Sequence, residues 1–472
     1  MIGRKYEQQL LDKWMQSGRP EFLVVYGRRR IGKTYLVRDY FKDRFAFRAT
    51  GVAEEGMRTQ LKAFHQKLLE YGDAHRGAPK DWFEAFSRLK ALLCDENVTR
   101  DVGTGRIVVF LDEMPWMDTP RSGFKPAFEN FWNDWGCMRE DLLLIACGSA
   151  TSWLATNLLQ STEGLYGRVT GSLNLQPFCL GECEELLRYN GLELTRQQVI
   201  ELFLVFGGIP YYLNLVPRGM GPAQAVEQLC FAPGGQLAGE FDLLFRSTFK
   251  HADNHMALVE ALARRKGGLT DAELRKTRGV PTGESLSRAL GDLTACGLVR
   301  KNAAYGNKKN GRRYQLVDPF TCFYLRVLKD RAFDSWEAHV ATPAYASWRG
   351  NAFELTCLLH VPQIKRALGI SGVETLSFPW TSAAQEGGAQ IDLVIDRRDG
   401  IIDLCEAKFT DRPYVLDKNG FESLTRKRDV FRDETGSAKA LHLVLITAAG
   451  LQQNAYAHSI LVIIGPDDLF RI

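Results

Sequence analysis

The run Gly27-Arg28-Arg29-Arg30-Ile31-Gly32-Lys33-Thr34 matches GxxxxGK[ST] in full. Two glycines at that spacing let successive backbone N–H groups turn inward around phosphate oxygens, and a helix N-terminus behind them adds partial positive charge. Lys33 is then placed to neutralise β/γ-phosphates, and the Thr34 hydroxyl to ligate Mg²⁺. The context is the required one, an apolar run Phe22 to Tyr26 before the loop and a helical pattern Tyr35 to Phe41 after it. A magnesium ion also wants a carboxylate at the end of a neighbouring strand. Ile107-Val108-Val109-Phe110-Leu111-Asp112-Glu113 offers Asp112 for the metal, directly or through water, and Glu113 to polarise the attacking water. The competing reading of an Asp-Glu pair in that place is a helix cap. Placed as proposed, both carboxylates predict hydrolysis of ATP and not binding alone.

Two more residues bear on the same chemistry. The next apolar run ends in Cys147-Gly148-Ser149, where Ser149 either reaches between the previous two strands toward the γ-phosphate or is a plain turn serine. Arg168, in Leu165-Tyr166-Gly167-Arg168, is either an arginine finger or a solvated surface arginine. The finger reading would complete the site of a neighbouring copy, and so implies a homo-oligomer.

A second set lies near the other end. Gln390-Ile391-Asp392-Leu393-Val394-Ile395 and Ile402-Asp403-Leu404-Cys405-Glu406-Ala407-Lys408 flank Arg397-Arg398-Asp399-Gly400, whose Asp-Gly is a hairpin signal. Glu406 and Lys408 differ by two and share one face of a strand. Asp392, near the start of the partner strand, can approach Glu406 across the hairpin. Two carboxylates sharing a site repel, and a divalent ion, Mg²⁺ or Mn²⁺, removes that repulsion while binding a scissile phosphate. Lys408 would orient or deprotonate water, or stabilise transition-state charge. The spacing resembles the PD-(D/E)XK nuclease core, with Ile391 standing where the name-giving proline would be. The resemblance implies Asp392 and Glu406 as metal ligands and Glu354, on an upstream helix over Asn351 to His360, as a further carboxylate. A helix over Glu422 to Arg432 places Arg426, Lys427 and Arg428 toward a nucleic-acid backbone. The competing readings are a surface salt-bridge cluster and a degenerate, non-cleaving fold.

Between these centres, Leu298 to Tyr314 carries six basic residues (Arg300, Lys301, Lys308, Lys309, Arg312 and Arg313) and no acidic one. One sign of charge with flexible glycines suggests a phosphate-facing wing. The preceding helix offers Arg288 and little other base-reading chemistry, so contact with duplex DNA is expected to be backbone-directed. The competing reading is a module used only for packing or protein contact. His251 and His255, four apart, lack a third soft ligand and read as exposed linker histidines.

The elements needed to position these groups can be read from periodicity. Phe22 to Tyr26, Ile107 to Leu111 and Leu142 to Ala146 are buried parallel strands with helices between them, an α/β pattern. The expected organisation is a P-loop core over 1–180, a helical lid over 181–250, a winged helix-turn-helix over 251–335 and an α/β nuclease-like domain over 345–472. The winged module rests on three short helices closed by a hairpin, with a capped start at Thr270-Asp271-Ala272-Glu273 and another at Thr282.

Composition limits the alternatives. The chain has 472 residues, 45% hydrophobic and 25% charged, which excludes a mainly disordered chain, a collagen-like one or a coiled-coil rod. Sixty Lys+Arg against fifty-six Asp+Glu leave +4, so anion-binding surface must be local and not a general basic coat. The ten cysteines form no CxxC pair and read as reduced core residues. With no basic-then-apolar leader and no apolar run near the roughly 20 residues that span a bilayer, a cytoplasmic protein without a membrane partner is expected.

The ordered motifs Ile2-Gly3-Arg4-Lys5-Tyr6-Glu7, Tyr26 to Thr34, Leu111-Asp112-Glu113, Tyr166-Gly167-Arg168 and Gly208-Ile209-Pro210-Tyr211-Tyr212-Leu213 resemble the archaeal-type ATPase family, P-loop ATPases of the AAA+/STAND group. The resemblance covers roughly the first 220 residues. It implies an adenine-nucleotide switch, Gly3-Arg4 near the base and Gly208-Ile209-Pro210 opening the lid. Relatives often continue into a winged helix and a restriction-endonuclease-like domain. The leading expectation is therefore an ATP-dependent DNA-processing protein. The rival is a nucleotide-switched signalling ATPase whose C-terminal fold is an inert recognition module.

Overall fold

In the computed structural model, the residues described are 1–148, 151–154, 158, 167–249, 251–302, 305, 312–330, 333, 335–382 and 388–472. The expected Ser149, Lys308 and Lys309 lie outside them. The chain divides into two compact units, one from Gly3 to Gln176 and one from Pro177 to Ile472.

The first unit is built on a parallel sheet of β1 (Glu21–Tyr26), β2 (Phe45–Thr50), β3 (Ile107–Asp112), β4 (Leu142–Gly148) and β5 (Gly171–Asn174), in the order β2-β3-β4-β1-β5. Every residue of β3 and β4 is buried, which is why their sequences are continuous apolar runs and not alternating ones. Phe22, Phe86, Phe124, Phe128 and Trp132 interlock beside the sheet, with Phe22 and Phe128 edge-on at 5.5 Å. Because β4 runs between β1 and β3, the ends of the two motif-bearing strands face each other across it.

The second unit opens with the helices Leu180–Tyr189, Arg196–Phe206, Pro210–Asn214 and Glu240–Thr248. Gly208 is required where this bundle turns: a Cβ there would lie 1.8 Å from the Phe178 carbonyl oxygen. Next come the helices Ala252–Ala263, Asp271–Lys276 and Gly283–Ala295, with β6 (Leu269–Thr270), β7 (Val299–Asn302) and β8 (Arg313–Leu316) in an antiparallel sheet ordered β6-β8-β7. Thr270 and Glu273 form the reciprocal cap that starts the second helix.

His255 corrects the sequence reading. It is buried, stacked on Phe249 at 4.0 Å, with Nε2 2.9 Å from Asp292 and Nδ1 2.9 Å from the His251 carbonyl. It is a core residue because its helix turns that face inward; His251 alone is exposed.

The unit ends with the helix Pro343–Leu359, β9 (Thr375–Thr381), β10 (Gln390–Arg397), β11 (Ile401–Lys408), the helix Lys418–Thr435, β12 (Ala440–Thr447) and β13 (Val462–Ile464). The sheet order is β13-β12-β11-β10-β9, antiparallel over β9 to β11 and parallel over β11 to β13. The first helix begins earlier than periodicity suggested because Thr342 caps it and Pro343 fills its first position. All ten cysteines are free, and most are buried.

Candidate active sites

In the first unit the phosphate loop links β1 to the helix Lys33–Phe41. Gly27 has φ 146° and a Cβ would stand 2.6 Å from the Leu175 carbonyl oxygen, so only glycine fits. Arg30 and Gly32 are also left-handed, which curls the loop backbone. Lys33 is buried and donates to the carbonyls of Gly27 (3.1 Å) and Arg28 (2.9 Å). Thr34 Oγ1 donates to both oxygens of Asp112, at 2.9 and 3.1 Å. Burial raises the Asp112 carboxyl above its ordinary range, Thr34 opposes that, and the Glu113 charge adds to it. A buried, costly carboxylate hydrogen-bonded to the loop hydroxyl is a donor pair suited to a hard divalent cation.

Glu113 follows with φ 46°, a strained backbone for a side chain of that size, and donates its N–H to Asp112 Oδ1 at 3.0 Å. Arg4 is buried and braces the loop: Nη2 donates to the Ile31 carbonyl at 3.1 Å, and Nη1 to Gln176 O at 2.7 Å and Glu7 at 3.1 Å. Gly3 accepts from Gln8. Arg168 is exposed in the turn before β5.

In the second unit Glu354, Asp392, Glu406 and Lys408 are brought together by the Pro343–Leu359 helix, β10 and β11. Asp392 Oδ2 accepts the Ala407 N–H at 3.0 Å, which fixes it across the strand pair. Glu354 and Asp392 are neighbours, and the charge of Asp392 bears on Glu354. Burial first, then the Asp392 charge, raise Glu354; burial, then Glu406, raise Asp392. Glu406 is buried and gripped by Lys408 at 2.9 Å and Lys427 at 2.6 Å. Burial draws the Lys408 ammonium down, but the Glu406 charge and hydrogen bond outweigh it and leave it raised.

Sequence reasoning missed Lys266, which ion-pairs with Glu354 and donates to Asn351 at 3.0 Å. Its one sequence signal, a basic residue closing a helix, does not point to a partner so far along the chain. Lys427, expected on a nucleic-acid face, instead meets Glu406. Among the described residues no three His, Cys, Asp or Glu side chains converge as a ready metal cage. Lysines already supply positive charge at these carboxylates.

Of the basic hairpin residues, Arg312 and Lys301 are exposed. Arg313 donates to the Gly268 carbonyl at 3.0 Å and to Glu273 at 3.4 Å. Arg300 is half-buried and donates to Ser377 O at 2.9 Å and Leu358 O at 3.4 Å. Arg288 pairs with Glu284, one turn back on its own helix, at 2.6 Å. Among the described residues no helix is long and apolar enough to cross a membrane.

Residues 2–216 match a family described as an ATPase domain predominantly from Archaea. An uncharacterized protein of Methanocaldococcus jannaschii is 24% identical over 332 residues, 69% of this chain and 68% of that protein. Among solved structures, a Walker-type ATPase of Pyrococcus abyssi is similar over 69% of this chain and 96% of its own, at 18% identity and a TM-score of 0.46. The ORC2 protein of Aeropyrum pernix is similar over 72% of this chain and 96% of its own, at 17% identity and a TM-score of 0.41. The family match spans the phosphate loop, Asp112 and Glu113, so residues 2–216 are similar to an ATPase domain of the type found predominantly in Archaea.

Proposed function

We propose that ATP binding and hydrolysis in the N-terminal domain control a DNA-processing activity: a winged helix over 251–335 engages duplex DNA, and a PD-(D/E)XK-type site in 345–472 cuts phosphodiesters. The observation that supports the second half is the succession of neighbours Glu354, Asp392, Glu406 and Lys408 on adjoining elements. A surface salt-bridge cluster would not be expected to set two half-buried carboxyls beside each other with a third charge raising one of them. The winged-helix reading is supported by three helices and a small antiparallel sheet in chain order, ending in the basic hairpin.

At the first site, Lys33 would exchange its loop carbonyls for β/γ-phosphate oxygens. Thr34 and Asp112 would hold Mg²⁺, which supplies charge neutralisation of the triphosphate when bound. Glu113, one residue after Asp112, would accept the proton of the attacking water. At the second site, Asp392, Glu406 and Glu354 would hold Mg²⁺ or Mn²⁺, which polarises a scissile phosphate and acidifies bound water. A divalent cation would relieve the repulsion between these neighbouring, half-buried carboxyls. Lys408 then orients the water or meets charge developing on the phosphate.

One observation favours a second reading. Lys266, Lys408 and Lys427 already neutralise these carboxylates. A site satisfied in this way fits a nuclease-like fold used for recognition, with the ATPase as a signalling switch. Plasmid incubated with Mg²⁺ or Mn²⁺, with and without ATP, separates the two. Cutting by the wild type that is lost in Lys408→Ala and in Asp392→Ala supports the nuclease. No cutting with either metal supports the switch.

A further inference from the structure

A second cleft in the C-terminal unit, of about 550 Å³, lies between β7, the helix Val361–Ala367 and β9. Arg300, Lys301, Lys365 and Arg366 line it with the hydroxyl residues Ser371 and Thr375, and no lining residue is acidic. Lys365 donates to the Val373 carbonyl at 2.7 Å, and Arg300 to the carbonyls of Leu358 and Ser377. These are neutral partners. Arg300 keeps three of its five N–H donors beyond them, and Lys365 two of its three. Glu374, the nearest acidic residue in sequence, turns to Arg398 at 3.1 Å. Burial pulls the Arg300 guanidinium below its ordinary pKa, so holding this charge has a cost that no carboxylate offsets. Lys301, next to Arg300 on β7, turns its ammonium over the Tyr314 ring at 5.5 Å. Arg300, Lys365 and Arg366, three cations with no anion among the lining residues and with small hydroxyl donors beside them, make a site for a singly or doubly charged tetrahedral oxyanion.

We propose that this cleft binds a phosphate of a nucleic-acid strand. Its position favours a strand over a free phosphate. Leu358, an acceptor for Arg300, stands one helical turn beyond Glu354, and Ser377 pairs with Ile395, three residues from Asp392 on β10. A strand offers a phosphate about every 3.4 Å along the helix axis, so a strand seated here passes the carboxylates within a few nucleotides. The choice of a strand rests on reading those carboxylates as acting on nucleic acid; the phosphate site itself does not. Lys365 and Arg366 lie outside the basic hairpin and extend the contact surface onto a different element.

The test is binding of labelled single-stranded and duplex DNA to the full chain in EDTA, across a salt series, with the double variant Lys365→Gln/Arg366→Gln. The expected result is a salt slope lower by about 2 and at least a tenfold loss of affinity at low salt. A melting curve checks the fold. Pyrophosphate is the second arm. If pyrophosphate binding is lost in the variant while DNA binding is unchanged, the cleft serves a free phosphorylated ligand and the strand assignment falls. If neither is altered, the phosphate site falls too. Because EDTA prevents metal-dependent cutting, a protein that never cleaves DNA still gives the expected binding result.

Discussion

Lys427 and Glu406, 21 positions apart, meet at 2.6 Å, on the oxygen that Lys408 leaves over. The helix Lys418–Thr435 therefore does more than cover the sheet: it brings a cation to the same carboxylate that the proposed metal needs. Lys427→Ala leaves Glu406 buried with one partner. In the absence of metal this should cost about 2 kcal/mol, less than a fully broken buried pair because Lys408 remains, and lower the melting temperature by a few degrees. Mn²⁺ should recover more stability in the variant than it adds to the wild type. Equal Mn²⁺-induced shifts in the two proteins would show that lysine and metal do not compete for Glu406.

At the first site, Thr34 and Asp112 form one donor pair from two distant motifs. Asp112→Asn keeps the size of the side chain and removes its charge, so ATP turnover should fall on the order of 10²–10³-fold. Glu113→Gln should leave ATP bound and slow turnover on the order of 10²–10⁴-fold, the range for losing a general base. Slowed phosphate release alongside retained nucleotide is the signature to measure. Turnover that survives Glu113→Gln would reassign the base.

His360 supplies a pH prediction. It is fully buried at the end of the Pro343–Leu359 helix, where Nε2 accepts the Leu180 N–H at 2.9 Å and Nδ1 lies 2.8 Å from Thr356 O. Burial pulls its pKa down to about 4, with the Thr356 bond opposing it. The unfolded chain takes up the proton near 6.5, so the stabilisation is complete above that pH and disappears as the pH falls to about 4. Its size is about 3 kcal/mol. Thermal melts of the C-terminal unit should steepen with acid between these limits, and His360→Gln, which keeps an acceptor without titrating, should flatten the profile. An unchanged profile would place the acid sensitivity elsewhere.

What the sequence made legible follows the range of the interactions. The phosphate loop, Asp112 and the strands around them were readable because strand apolarity and glycine spacing are local. The Thr270–Glu273 cap was readable for the same reason. Glu406 and Lys408 were readable as a same-face pair, since two-residue spacing decides it. Lys266 and Lys427 were not, because their carboxylate partners are fixed by the packing of separate elements. His255 was misread for the same reason: four-residue spacing to His251 says nothing about which helix face meets Phe249 and Asp292. Arg300 belonged by sequence to a phosphate-facing wing, yet β7 turns it toward Ser377 and Leu358.

The proposed function requires two separate divalent-ion centres in one chain, one dependent on nucleotide and one not. Titrating Mn²⁺ into metal-free protein, with and without a non-hydrolysable ATP analogue, counts them directly. The expected result is a nucleotide-independent ion that is lost in Asp392→Asn, and a further ion that appears with the analogue and is lost in Asp112→Asn. Binding of Mn²⁺ only in the presence of the analogue, unchanged by Asp392→Asn, would contradict it.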